Sequence, residues 1–172
     1  MRHLRGLLKP LPMLAIGLVP GTAARLFDIY FQNLGNIFSQ IAIWILIGTL
    51  ISVYSPTKKR AAVNVLPFCL GMLLTYYATA MLTRGVYNWS FILGWTAFAL
   101  LSPVMAYFAW MTKEKGVFPK IIGAGIVLAS ALSSVLLFDR LRVYDYVIDA
   151  LLIYVIFFQK IPRLSRKGGN RA

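Results

Sequence analysis

This chain holds only 5 acidic residues against 18 Lys or Arg, so the few carboxylates are the first place to look for chemistry. Asp28, Asp139, Asp145 and Asp149 all fall in or beside segments that leave the same side of the apolar stretches, as do Arg25, Arg84, Arg140 and Arg142. If one helix starts near Asp139, then Asp139, Arg142, Tyr146 and Asp149 stand at i, i+3, i+7 and i+10 and share a face. Asp145 lies beside Arg142, one turn ahead of Asp149. Asp149 is nine residues from Phe158, about 13 Å along a helix. Half of a hydrocarbon core is about 15 Å. A carboxylate at that depth costs several kcal/mol unless it is paired, protonated or hydrated. Arg84, Arg25 and Arg142 are its expected partners. Three readings stay open for this charge set: a structural ionic network, a polar cavity that opens outward and holds a small polar or zwitterionic ligand, and a proton relay through Asp149.

Other chemistries find little support. One His and one Cys exclude a zinc centre, a Cys/His pair and a disulfide framework. No HExxH, GxSxG, P-loop or GxGxxG motif occurs, so neither a metal nor a cofactor is expected. Tyr76, Tyr77, Thr75 and Thr79 place hydroxyls in mid-span, where such groups line pockets or bond neighbouring helices. Cys69 reads as a packing residue.

The elements that must position these residues follow from composition. The chain has 172 residues, 59% apolar and 13% charged, and its mean hydropathy is +0.73. Soluble domains have about 25% charged residues. The expected fold is therefore an all-α polytopic membrane bundle, a single domain. A bilayer core needs about 20 apolar residues per helix. Six transmembrane helices are expected over residues 11–27, 37–54, 61–83, 89–111, 121–138 and 140–158, with a basic tail at 159–172. The first and last are the shortest apolar runs.

Sorting the cations by segment gives the topology. Alternate loops carry fourteen of the 18, and the opposite loops carry Arg25, Arg84, Arg140 and Arg142. Cytoplasmic loops carry the Lys/Arg excess, so both termini are expected in the cytoplasm, with anionic inner-leaflet lipids as partners. The net charge of +13 is then a membrane signature. The tail Arg163 to Arg171 has no interleaved aromatics to stack on bases, so no nucleic-acid partner is expected. The basic start, the apolar run that follows and Gly21-Thr22-Ala23-Ala24 also have the form of a secretory leader. Retention of this first span is the expectation, and cleavage would leave five spans in the same orientation.

Small residues drive helix packing in lipid. Gly17 and Gly21 form a GxxxG pair, and Gly125, Ala129 and Ser133 repeat every four residues on the fifth span, expected to be the most enclosed helix. Between Arg25 and Asn36, Leu26, Phe27, Tyr30, Phe31 and Leu34 alternate with Arg25, Asp28, Gln32 and Asn36 at helical spacing. That pattern predicts an amphipathic helix on the outer interface after the first span.

The string Lys59-Arg60-Ala61-Ala62-Val63-Asn64, leading to Gly71-Met72-Leu73-Leu74-Thr75-Tyr76-Tyr77, resembles a family of small bacterial multi-pass membrane proteins of unknown function. The resemblance covers spans two to four and implies a bacterial plasma membrane location without an activity. Size, span number and the polar outer end are similar to the substrate-binding subunits of energy-coupling-factor vitamin transporters. The first expectation for function is accordingly a small-molecule binding or transport subunit whose site opens outward around Arg84, Asp145 and Asp149. The alternative is a non-catalytic scaffold or accessory subunit that assembles with a partner membrane protein. A lipid-modifying membrane enzyme is the third reading.

Overall fold

The computed structural model describes residues 7–85 and 88–161. Residues 1–6, Val86, Tyr87 and the tail beyond Ile161 lie outside the described residues. All regular structure among the described residues is helical: α1 (Pro10–Tyr30), α2 (Gln32–Phe38), α3 (Ile41–Tyr54), α4 (Lys58–Leu82), α5 (Trp89–Met111), α6 (Val117–Phe138) and α7 (Val143–Ile153), which runs on into a π-helical turn (Tyr154–Phe158). Helix is the only way a single apolar segment can satisfy its own backbone inside a bilayer. The helices α1, α4, α5 and α6 are each long and apolar enough to cross a membrane. The pair α2 and α3, bent by 58° at a short break, makes a fifth candidate. This is the constitution of a multi-pass membrane protein.

Helices α1 and α4 form the closest pair, and glycine makes it possible. A Cβ on Gly17 would lie 2.2 Å from the Phe68 carbonyl oxygen, and one on Gly21 would lie 2.1 Å from that of Met72. From the other side, a Cβ on Gly71 would lie 2.5 Å from the Leu14 carbonyl oxygen. Each glycine thus turns a Cα hydrogen toward a carbonyl of the facing helix, the geometry of a Cα–H···O contact. Thr75 adds a hydroxyl bond to the Leu18 carbonyl at 2.8 Å. The partners rise together along both helices, so α1 and α4 run parallel and α3 supplies the return between them.

A further set of hydrogen bonds between helices gathers at one end of the bundle. Here Asn64 Nδ2 donates to the Leu8 carbonyl and to Ser55 Oγ, both at 3.1 Å. Trp110 donates to the Ser55 carbonyl at 2.8 Å, and Lys58 pairs with Glu114 at 3.1 Å. There too Lys113 Nζ donates to the Val155, Ile156 and Gln159 carbonyls, satisfying the end of the π-helical turn. Gln159 also donates to the Tyr54 hydroxyl. Both the first and the last described helices therefore meet at this end.

The structure departs from several expectations. Residues 25–36 do not make one separate amphipathic helix. Instead α1 continues unbroken to Tyr30, the chain breaks at Phe31, and α2 follows. Leu26, Tyr30, Phe31 and Leu34 are exposed, whereas Arg25 and Asp28 are half-buried and bond across to α4. In a bilayer the apolar face belongs outside, so the polar residues turn toward neighbouring helices.

The last helix begins at Val143 and not at Arg140. Asp139 ends α6 in the left-handed conformation (φ 58°), and Arg142 is the extended N-cap of α7 (φ −102°, ψ 164°). Asp139, Arg142, Tyr146 and Asp149 therefore do not form one helical face. The expected enclosure of α6 is also not found. Gly125 and Ala129 are exposed, and a Cβ on Gly125 would meet nothing within 4 Å. The inward face of α6 is Gly123, Ser130 and Ser134.

Candidate functional site

The expected outer charge cluster resolves into two groups on different helices, with Arg84 in neither. In the first, α6 and α7 form a ladder of serine–aspartate bonds. Ser130 Oγ donates to Asp149 Oδ1 at 2.6 Å, and one turn away Ser134 Oγ donates to Asp145 Oδ1 at 3.3 Å. The two helices are antiparallel, so residues four apart on one meet residues four apart on the other. Asp145 is fully buried. Its Oδ2 accepts the Arg142 backbone N–H at 2.7 Å, which caps α7. Arg142 lays its guanidinium over the Phe138 ring, 4.5 Å from the centroid. Asp149 thus has a serine as partner where an arginine was expected. Tyr146 is exposed beyond it.

Arg84 is exposed, in the turn after α4, with φ 49°. Arg25 does not reach a carboxylate either. Its Nε donates to Thr83 Oγ1 at 3.2 Å. Gly85 provides its seat, because a Cβ there would lie 2.3 Å from the guanidinium Nη2.

The second group surrounds Asp28. Tyr76 donates its hydroxyl to Asp28 Oδ2 at 3.1 Å, and Ser39 donates to Asp28 Oδ1 at 3.3 Å. Gly35 lets α2 fold back against Asp28, since a Cβ there would lie 2.7 Å from Oδ1. These bonds tie α1, α4 and the break between α2 and α3 to one carboxylate. Each carboxylate oxygen keeps a further lone-pair direction. Among the described residues the ion pair is Lys58–Glu114, so no Lys or Arg nitrogen of the described residues lies within 4.0 Å of Asp28.

Asp28 lines a cavity of about 360 Å³ between α1, α3, α4 and α5. Six aromatic residues share its wall: Phe38, Trp44, Tyr76, Tyr77, Phe91 and Trp95. Ser39 and Asn88 add polar groups, and no Lys or Arg is present among the described lining residues. The wall is ordered by its own contacts. Trp44 Nε1 donates to the Phe38 carbonyl at 2.8 Å, and their rings pack edge to face at 5.8 Å. Tyr76 and Tyr77 stand at 87° with centroids 5.4 Å apart. Ligand sites of this size are mostly apolar, with few placed polar groups. A second, apolar hollow, sharing Trp44, Met72 and Trp95, continues toward Ser102 and Ala106.

Of the expected site residues, Asp28 alone lines this cavity, with Arg25 one turn before it. Sequence reasoning missed Phe38, Trp44, Phe91 and Trp95, which lie inside apolar runs with no spacing that sets them apart. Tyr76 and Tyr77 were legible only as mid-span hydroxyls. Gln40, at the N-cap of α3, was missed too. It is fully buried, and neither amide atom has a hydrogen-bond partner among the described residues. Comparison of the chain with protein-family models, with curated proteins and with solved structures finds no match.

Proposed function

We propose that this chain is a small-molecule binding or transport subunit of a bacterial plasma membrane, whose site is the Asp28 cavity. The observation that carries this reading is the combination of an aromatic wall with a carboxylate that has no cation within 4.0 Å among the described residues. Asp28 is half-buried and held by neutral donors alone, Tyr76 and Ser39, which leaves its negative charge available to a ligand. In this reading the chain crosses the bilayer six times, with α7 and its π-helical turn as the last crossing and both chain ends in the cytoplasm. Support comes from the contacts of Leu8 and Gln159 at the same end of the bundle. That end also carries Lys58, Lys59, Arg60, Lys113, Lys115 and Lys120. The Asp28 cavity then opens outward.

Native mass spectrometry of protein released from its own membrane tests the site. A small molecule should be retained by the native chain and lost from Ser39→Trp, which fills the cavity mouth. An adduct-free spectrum for the native chain would sink the reading.

A second reading, an accessory subunit for another membrane protein, is favoured by one observation: Gly125 and Ala129 present an uncovered small-residue face on α6. Such faces allow close helix approach. A retained protein partner in the same spectrum, lost on Gly125→Leu, is its expected signature.

A further inference from the structure

The charge and surface chemistry of the Asp28 cavity also define what it can hold. An anion would meet the Asp28 carboxylate with no Lys or Arg in the lining to offset it. A neutral ligand would leave that carboxylate unpaired in an apolar wall. A bare metal cation needs several oxygen ligands, and here the only carboxylate among the described lining residues already accepts bonds from Tyr76 and Ser39. An alkylated ammonium has neither difficulty. Its charge pairs with the carboxylate, and its alkyl groups rest on aromatic faces through cation–π attraction. Phe38, Trp44, Tyr76, Tyr77, Phe91 and Trp95 supply those faces. Arg25, the nearest cation in sequence, is drawn to Thr83 and seated against Gly85. It is held there beyond ion-pair distance of Asp28.

We infer that the cavity binds an organic ammonium ion, with Asp28 as counter-ion and the aromatic wall as its cage; this rests on the preceding reading of the cavity as a binding site. The ammonium can belong to a free solute or to a lipid headgroup, since the cavity lies at one end of the bundle.

The test uses the full chain in nanodiscs of phosphatidylglycerol, with choline and its uncharged carbon isostere 3,3-dimethylbutan-1-ol as probes. Tryptophan fluorescence and calorimetry read binding. Choline should bind at least tenfold more tightly than the isostere. Asp28→Asn should abolish that preference. Trp95→Leu, which leaves the carboxylate in place, should weaken choline severalfold and serves if Asp28→Asn does not fold. Adding phosphatidylcholine to the disc separates the sources: competition with free choline assigns the site to a headgroup, and its absence assigns it to a solute, either within the inference. Equal binding of both probes, binding of neither, or a preference that survives Asp28→Asn overturns it. The binding-site reading fails separately, through the absence of any retained molecule in the mass spectrum. A retained neutral or anionic molecule would keep the site and reject the ammonium.

Discussion

Ser130 on α6 and Asp149 on α7 are joined by a hydrogen bond of 2.6 Å, and the same two helices repeat the pairing one turn away with Ser134 and Asp145. The relationship sets the register of α7 against α6. It also gives the Asp149 carboxylate a donor without a second charge. Hydrogen bonds between membrane helices are worth about 0.6–2 kcal/mol. A double-mutant cycle of Ser130→Ala with Asp149→Ala, read by reversible unfolding in bicelles, should show coupling in that range. Strict additivity would mean that the contact contributes nothing to the fold.

Glycine at 21 is required by backbone proximity, and glycine at 125 is not. Gly21→Val drives a side chain into the Met72 carbonyl. Overpacking of this kind costs about 1–3 kcal/mol, and here the obstacle is backbone. Gly21→Val should lose most of its monodisperse yield in detergent, while Gly125→Val keeps it. Equal yields of the two would contradict the close α1–α4 approach.

Gln40 gives a prediction of the opposite sign. Both of its amide atoms are buried without partners among the described residues. Unsatisfied buried polar groups cost about 1–3 kcal/mol. Gln40→Met should therefore raise the melting temperature of the purified protein. A fall of several degrees would show that the amide makes a bond in solution.

Lys113 closes the carbonyl end of the last helical segment through three main-chain oxygens. Lys113→Met leaves those carbonyls to find other donors. Hydrogen exchange over residues 154–161 should quicken about tenfold, with α4 unaffected. Unchanged exchange there would remove Lys113 from that role.

Sidedness can be read with single cysteines in a Cys69→Ser background. Lys58→Cys should react with an impermeant maleimide only after the cells are opened. Ser39→Cys, at the mouth of the Asp28 cavity, should react in intact cells. The reverse pattern would invert the molecule and point the cavity at the cytoplasm.

The amino-acid sequence by itself determined that the chain is helical and multi-pass. Apolar runs of span length have no other backbone solution in lipid. It also marked the sidedness expected of the bundle, because loop cations are sorted by charge and not by packing. The GxxxG spacing of Gly17 and Gly21 was legible for the same reason that it matters: only glycine allows two backbones so close. Which polar groups meet was decided by the tertiary structure. Asp28 finds Tyr76, 48 residues away, and Asp149 finds Ser130 instead of an arginine. In a soluble protein, hydrophobic periodicity tells the buried face of a helix from the exposed one. Against lipid both faces are apolar, and that signal vanishes. Helix rotation then depends on close contacts such as those of Gly21 and Gly35. Those contacts bring Asp28 and the aromatic side chains of four helices around one cavity.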